Sequence, residues 1–211
     1  MEFDPTLAVE TAPGVYPPRE DSHLLLEALR VEPGERVLEI GTGTGFVALH
    51  AAKAGARVVA TDVSPDAVSL ARENAAANGL RLAVVRADLF RGLRGAFDVI
   101  AFNPPYLAEA IEGDWAARAW QGGSQGDVII RRFLDGVRDH LGLDGRVYLV
   151  VPASLGSVLA AGVGGFRVHS YGSRALFFER LSALELTTGG ERRGRLQAEE
   201  RDAPRATHLP L

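Results

Sequence analysis

Short, β-rich apolar runs alternate along this chain with stretches whose apolar residues recur every three to four positions. That alternation predicts an α/β fold, a largely parallel sheet covered by helices on both faces. Strands are expected over Arg36–Ile40, Arg57–Thr61, Arg81–Arg86, Phe97–Phe102 and Arg146–Val151. Helices are expected over Asp21–Leu29, Phe46–Ala54, Pro65–Asn78 and Asp127–Leu141, the last with Ile130, Phe133, Leu134, Val137 and Leu141 on one face. Ser64 suits an N-cap before Pro65, and Asn78-Gly79 suits the stop of that helix. Beyond Val151, a short helix near Ser154–Ala161 precedes strands over Phe166–Tyr171 and Ala175–Leu186. Two strands so close together, with no helix between them, predict an antiparallel hairpin at one sheet edge and seven strands in all. From Thr187 the chain turns polar and arginine-rich, so one domain is expected over residues 1–186 and a mobile tail over 187–211.

Composition narrows the picture. A chain of 211 residues that is 46% hydrophobic suits one sizeable core. It has no cysteine, which excludes disulfides and thiolate zinc sites, and its five histidines show no ligand spacing, so a metal-free protein is expected. No apolar run reaches the roughly 18 residues that span a bilayer, and the acidic start Met1-Glu2-Phe3-Asp4 lacks the basic residues of a signal peptide. A soluble cytoplasmic protein with no membrane contact is the expectation. A net charge of -4 argues against gripping long nucleic acid over the whole surface, while leaving room for a local basic patch.

The first strand runs into Gly41-Thr42-Gly43-Thr44-Gly45, a loop that opens a helix and lets backbone approach a ligand closely. Gly43, Gly45 and Ala48, with Asp62 further on, also satisfy the dinucleotide spacing, so the glycines alone do not choose a ligand. The acids add information. Glu39 just before the loop would repel a pyrophosphate and can engage the ammonium of a methionine moiety. Asp62, followed by Val63, ends the second strand and can accept both hydroxyls of a ribose. Asp88 follows the third strand and can accept adenine amino hydrogens, with Leu89 beside the ring. Three acids at successive strand ends around one glycine loop point to S-adenosylmethionine.

Asn103-Pro104-Pro105-Tyr106 follows the apolar run Phe97–Phe102. A planar amine is a poor nucleophile because its lone pair is delocalised. The Asn103 side-chain oxygen and the Pro104 carbonyl can each accept one of its N–H bonds and aim the nitrogen at an electrophilic methyl. Pro104 and Pro105 fix two φ angles, and Tyr106 offers a face for stacking. An amide and the exocyclic amine of adenine fit this arrangement equally well. RNA therefore stands as an alternative substrate, with DNA less suited because a base-flipping enzyme needs a recognition domain for which there is no room. A cofactor-binding scaffold without turnover and a nucleotide-dependent oxidoreductase are the alternatives of other classes. The intact residues 103–106 oppose the first, and Glu39 opposes the second.

With these segments together, the chain resembles the class I S-adenosylmethionine-dependent methyltransferases, and more closely the HemK-type glutamine methyltransferases. Val15-Tyr16-Pro17-Pro18-Arg19-Glu20-Asp21-Ser22, Trp120–Gly126 and Leu176-Phe177-Phe178-Glu179 are similar to the short archaeal and eukaryotic branch of that family. The resemblance covers most of residues 12–186 and implies a Rossmann-like fold. It also implies methylation of the glutamine side-chain amide in the Gly-Gly-Gln loop of a peptide chain release factor. Asn103 and Pro104 would then orient the amide and Tyr106 would pack the substrate, while Tyr16 and Glu20 would belong to a segment closing over the site. The same branch implies a small zinc-binding activator protein pairing along the third strand.

Overall fold

The structure, a computed structural model, describes residues 1–105, 127–153, 155, 159, 165–176 and 179–188. Tyr106, the segment 120–126, most of the expected helix at 154–161, Phe177, Phe178 and the tail beyond residue 188 lie outside these.

Among the described residues, seven strands form one sheet: β1 Arg36–Ile40, β2 Arg57–Asp62, β3 Ala83–Arg86, β4 Phe97–Phe102, β5 Leu141–Pro152, β6 Phe166–Leu176 and β7 Glu179–Thr188. Their order is β3-β2-β1-β4-β5-β7-β6. The first five run parallel, and β7 lies antiparallel to both β5 and β6, giving the expected edge hairpin. The helices are α1 Glu20–Ala28, α2 Phe46–Lys53, α3 Pro65–Ala77 and α4 Asp127–Val137, with a 3-10 turn after the last.

Side chains alternate across each strand, so the central strands bury both faces. Val37, Val99, Tyr148 and Val150 meet Leu24, Leu25, Phe46, Ala48, Val68 and Ala71 of α1 to α3 on one side. Leu38, Ile40, Ile100, Phe102, Val147 and Leu149 meet Ile130, Phe133 and Val137 of α4 on the other. Ser64 caps α3 as expected, its Oγ accepting from the Ala67 N–H at 3.3 Å.

Several boundaries differ from expectation, β3 beginning at Ala83 in place of Arg81 and β5 at Leu141 in place of Arg146. The last helix stops at Val137 and gives way to a 3-10 turn over Arg138–His140, because Leu141 already pairs with Phe97 as the first residue of β5. In β6, Gly172-Ser173 resembles a turn in sequence, yet a register shift between Ser170 and Gly172 absorbs the irregularity and the strand runs on to Leu176. Its partner β7 extends to Thr188, past the expected domain boundary.

The N-terminal segment forms a strap tied to α3 by two asparagines. Asn78, at the C-cap of the helix, exchanges bonds with Ala8 at 2.9 and 2.7 Å, and Asn74 exchanges bonds with Glu10 at 3.0 Å. The Asn74 Nδ2 also donates to the Thr44 carbonyl in the glycine loop at 2.9 Å. Asn74 is buried, so Asn74→Ala should strand several polar groups and cost on the order of 2 kcal/mol in urea unfolding. An unchanged midpoint would show that the strap is not held there.

Candidate active site

A cavity of about 750 Å3 opens where the C-terminal ends of β2, β1 and β4 come together. Chain order reverses between β1 and β4, so the loops after these strands diverge and leave a crevice. Register sets the neighbours. Ile40 pairs with Thr61 on one side and Phe102 on the other, which brings Gly41 and Asn103 out side by side.

The glycine loop is confined. Gly41, Gly43 and Gly45 have φ of 66°, 53° and 86°. A Cβ on Gly43 would lie 3.3 Å from the Tyr16 carbonyl oxygen, and one on Gly45 would lie 3.2 Å from Cβ of Ala71 in α3. Only glycine fits this backbone without strain.

Glu39 lies beneath the loop, 5% exposed, and its Oε2 accepts from Thr42 Oγ1 at 2.6 Å and the Ala48 N–H at 3.0 Å. Burial pushes its carboxyl up to about 8, partly countered by those two bonds. Asp62 takes the Gly43 N–H on Oδ2 and the Ser64 N–H on Oδ1, both at 2.9 Å, and burial raises it as well. The Val63 N–H also reaches this carboxylate, which still keeps acceptor capacity for a ligand. Val63, beside it, lines the cavity and is partly exposed. Asp88 lies at the rim, where Arg132 of α4 pairs with it at 2.8 Å. That long-range contact carries no sequence signal. Leu89 lines the cavity with φ at 51°, the one non-glycine positive φ among the described residues. A left-handed leucine costs about 1–2 kcal/mol, which surrounding structure must offset.

Asn103 follows β4. Its Nδ2 donates to Asp21 Oδ2 at 2.9 Å, while its Oδ1 is buried with no hydrogen-bond partner. Pro104 is buried and Pro105 exposed, both against the cavity. Tyr16 lines the same space and donates its hydroxyl to Asp21 Oδ2 at 3.1 Å. Glu20 is exposed and does not line it, whereas its neighbour Asp21 is buried and does. The structure thus gathers Tyr16, Glu39, Gly41, Thr42, Gly43, Asp62, Val63, Asp88, Leu89, Asn103, Pro104 and Pro105 around one space. Gly45 stands just behind as the cap of α2.

Comparison with known proteins gives this arrangement a family. The model of the methyltransferase small domain matches residues 6–168. The chain belongs to that family. A Methanocaldococcus jannaschii protein, provisionally named as a protein N5-glutamine methyltransferase, is 41% identical over 142 residues, covering 65% of this chain and 72% of its own. A release factor glutamine methyltransferase of Deinococcus radiodurans is 54% identical over 90 residues. That match spans 42% of this chain and only 32% of the longer relative. Among solved structures, the E. cuniculi Mtq2-Trm112 complex, responsible for methylation of the eRF1 translation termination factor, superposes with a TM-score of 0.65 at 26% identity. It covers 83% of this chain and 99% of that one.

As a member of the methyltransferase small domain family, the protein is an enzyme that takes its methyl group from S-adenosylmethionine. The residues present fit that group, because the constricted glycine backbone, two buried acids and an apolar wall at Leu89 suit a cationic, sugar-bearing ligand. Among the described residues no helix is long and apolar enough to cross a membrane.

Proposed function

We propose that this methyltransferase modifies the side-chain amide nitrogen of the glutamine in the Gly-Gly-Gln loop of a peptide chain release factor. The observation that carries the reading is the buried, partnerless Asn103 Oδ1 at the head of Asn-Pro-Pro-Tyr, beside the glycine loop. A buried acceptor with nothing to accept is costly, and a substrate N–H is what it lacks. The named roles of the Deinococcus and E. cuniculi relatives support an amide over a nucleobase.

In this reading Asn103 Oδ1 and the Pro104 carbonyl each accept one amide hydrogen, which turns the nitrogen's remaining lobe toward the donor. Tyr106 stacks on the planar group, and Tyr16 closes the strap over it. When bound, S-adenosylmethionine supplies a methyl carbon made electrophilic by its sulfonium sulfur. The new C–N bond forms as the C–S bond breaks, and the surplus proton on nitrogen leaves to water, so no strong base is needed. Glu39 and the glycine loop hold the methionine portion, Asp62 the ribose, and Asp88 with Leu89 the adenine.

Mass spectrometry of a recombinant release factor and of total RNA, after incubation with isotope-labelled S-adenosylmethionine, tests the substrate. The expected product is a single methyl on the Gly-Gly-Gln glutamine, and label found only on RNA adenine would overturn the reading. For the cofactor, Asp62→Ala should weaken binding at least about tenfold by calorimetry, since a diol loses a charged acceptor. Unchanged affinity would remove Asp62 from the site.

A small activator is part of the same reading. β3 is an edge strand with Val85 41% exposed, and an apolar edge invites an added strand. Co-expression with a small zinc-binding partner should raise solubility and turnover together, and a fully active lone chain would argue against it.

A further inference from the structure

Asp21 touches the site through one oxygen and its own helix through the other. It is 2% exposed at the start of α1. Oδ1 accepts from the Ser22 N–H at 2.7 Å and the Ser22 hydroxyl at 3.3 Å. Oδ2 accepts from Tyr16 Oη at 3.1 Å and Asn103 Nδ2 at 2.9 Å. Asp21 lies in the first turn of α1, where the helix N-terminus favours negative charge.

The chemistry of this contact decides which way Asn103 faces. A side-chain amide is a donor at one end and an acceptor at the other, with almost the same shape, and in a neutral pocket it can sit either way round. A carboxylate is acceptor-only, so it admits only the NH2 end. The amide oxygen must then point away, and it is this oxygen that is buried without a partner. The reversed amide would present two donors to a substrate NH2 group and repel it.

We propose that Asp21 is a positioning residue for methyl transfer, holding the Asn103 amide with its oxygen toward the substrate and linking that orientation to Tyr16 of the strap. The proposal rests on Asn103 Oδ1 being the acceptor for the substrate amide.

Asp21→Asn should lower kcat about ten- to a hundredfold with the KM for S-adenosylmethionine nearly unchanged, because the amide at position 103 is free to turn. In an Asn103→Ala background the same substitution should add almost no further loss. The exchange Asp21→Asn with Asn103→Asp reverses the pair: position 21 supplies the donor and position 103 still shows an oxygen to the cavity, so part of the rate should return. A readout without turnover is the Asn103 side-chain NH2 pair in a nitrogen–proton spectrum, assigned by its loss in Asn103→Ala. It should be protected from exchange in the wild type and lose protection in Asp21→Ala.

Turnover by Asp21→Asn at the wild-type rate, or an equal fold-loss with and without the Asn103 amide, would overturn the proposal. Wild-type turnover by Asn103→Ala is a different result and would remove the underlying reading of Asn103. Should Asp21→Asn not fold, protection of the NH2 pair unchanged in Asp21→Glu, whose longer arm displaces the acceptor, would equally overturn it.

Discussion

Asn103→Ala should cut turnover by about two to three orders of magnitude and leave S-adenosylmethionine affinity within about twofold. The variant removes an acceptor whose bonding capacity is unused in the free protein, so little folded-state bonding is lost beyond the contact to Asp21. What disappears is a fixed oxygen shielded from solvent, where one well-placed hydrogen bond acts far more strongly than in water. Asn103→Asp should fail nearly as badly for another reason, since two carboxylates would then meet where Nδ2 now lies 2.9 Å from Asp21 Oδ2. Single-turnover transfer from labelled S-adenosylmethionine, alongside calorimetric binding, separates the two quantities. A variant that binds and turns over like the wild type would leave Asn103 without a chemical role, and with it the assignment of residues 103–106.

The layout of this site was legible because the strands of an α/β sheet announce themselves and their C-terminal ends converge. Once β1, β2 and β4 are located, Glu39, Asp62 and Asn103 have to emerge near one another, and the pairing of Ile40 with Thr61 and Phe102 brings them there. Asp21 was also within reach. On a helix, residues 21, 24, 25 and 28 share a face, and Leu24, Leu25 and Ala28 are plainly apolar. An acid in that phase is destined for burial, whereas Glu20 lies off it and is exposed. The motif of this segment points to both acids, and only the helical phase separates the buried Asp21 from the exposed Glu20. The pairing of Asp88 with Arg132 had no such signal, because the approach of α4 to the end of β3 depends on packing between elements far apart in sequence. The length of β6 was hidden for a local reason, since a glycine beside a serine has the same composition in a bulge as in a turn.

Binding of S-adenosylmethionine near pH 6.5 should release about one proton from the wild type and far less from Glu39→Gln. In the free protein, burial holds the Glu39 carboxyl up to about 8, above the 4.5 of an exposed glutamate, so it stays largely protonated at neutral pH. Both of its bonds fall on Oε2, which leaves Oε1 to carry the proton. An arriving ammonium favours the charged form and expels that proton. Affinity should therefore rise as pH climbs toward 8, by up to about tenfold per unit, until the ligand's own ammonium begins to lose its proton at about pH 8. Stability of the free protein runs the other way. The folded state binds more protons than the unfolded one between about 4.5 and 8, so the contribution of Glu39 is fully present below that window and is lost as pH rises through it, at up to ~1.4 kcal/mol per pH unit. Asp62, also raised by burial, adds a slope of the same sign that Glu39→Gln should leave in place. Calorimetry in two buffers of different ionisation heat counts the protons, and urea melts at pH 5.5 and 8 measure the slope. If the wild type released no proton on binding, the carboxyl beneath the glycine loop would not be meeting the cofactor's charge, and the case for Glu39 as the ammonium's partner would fail.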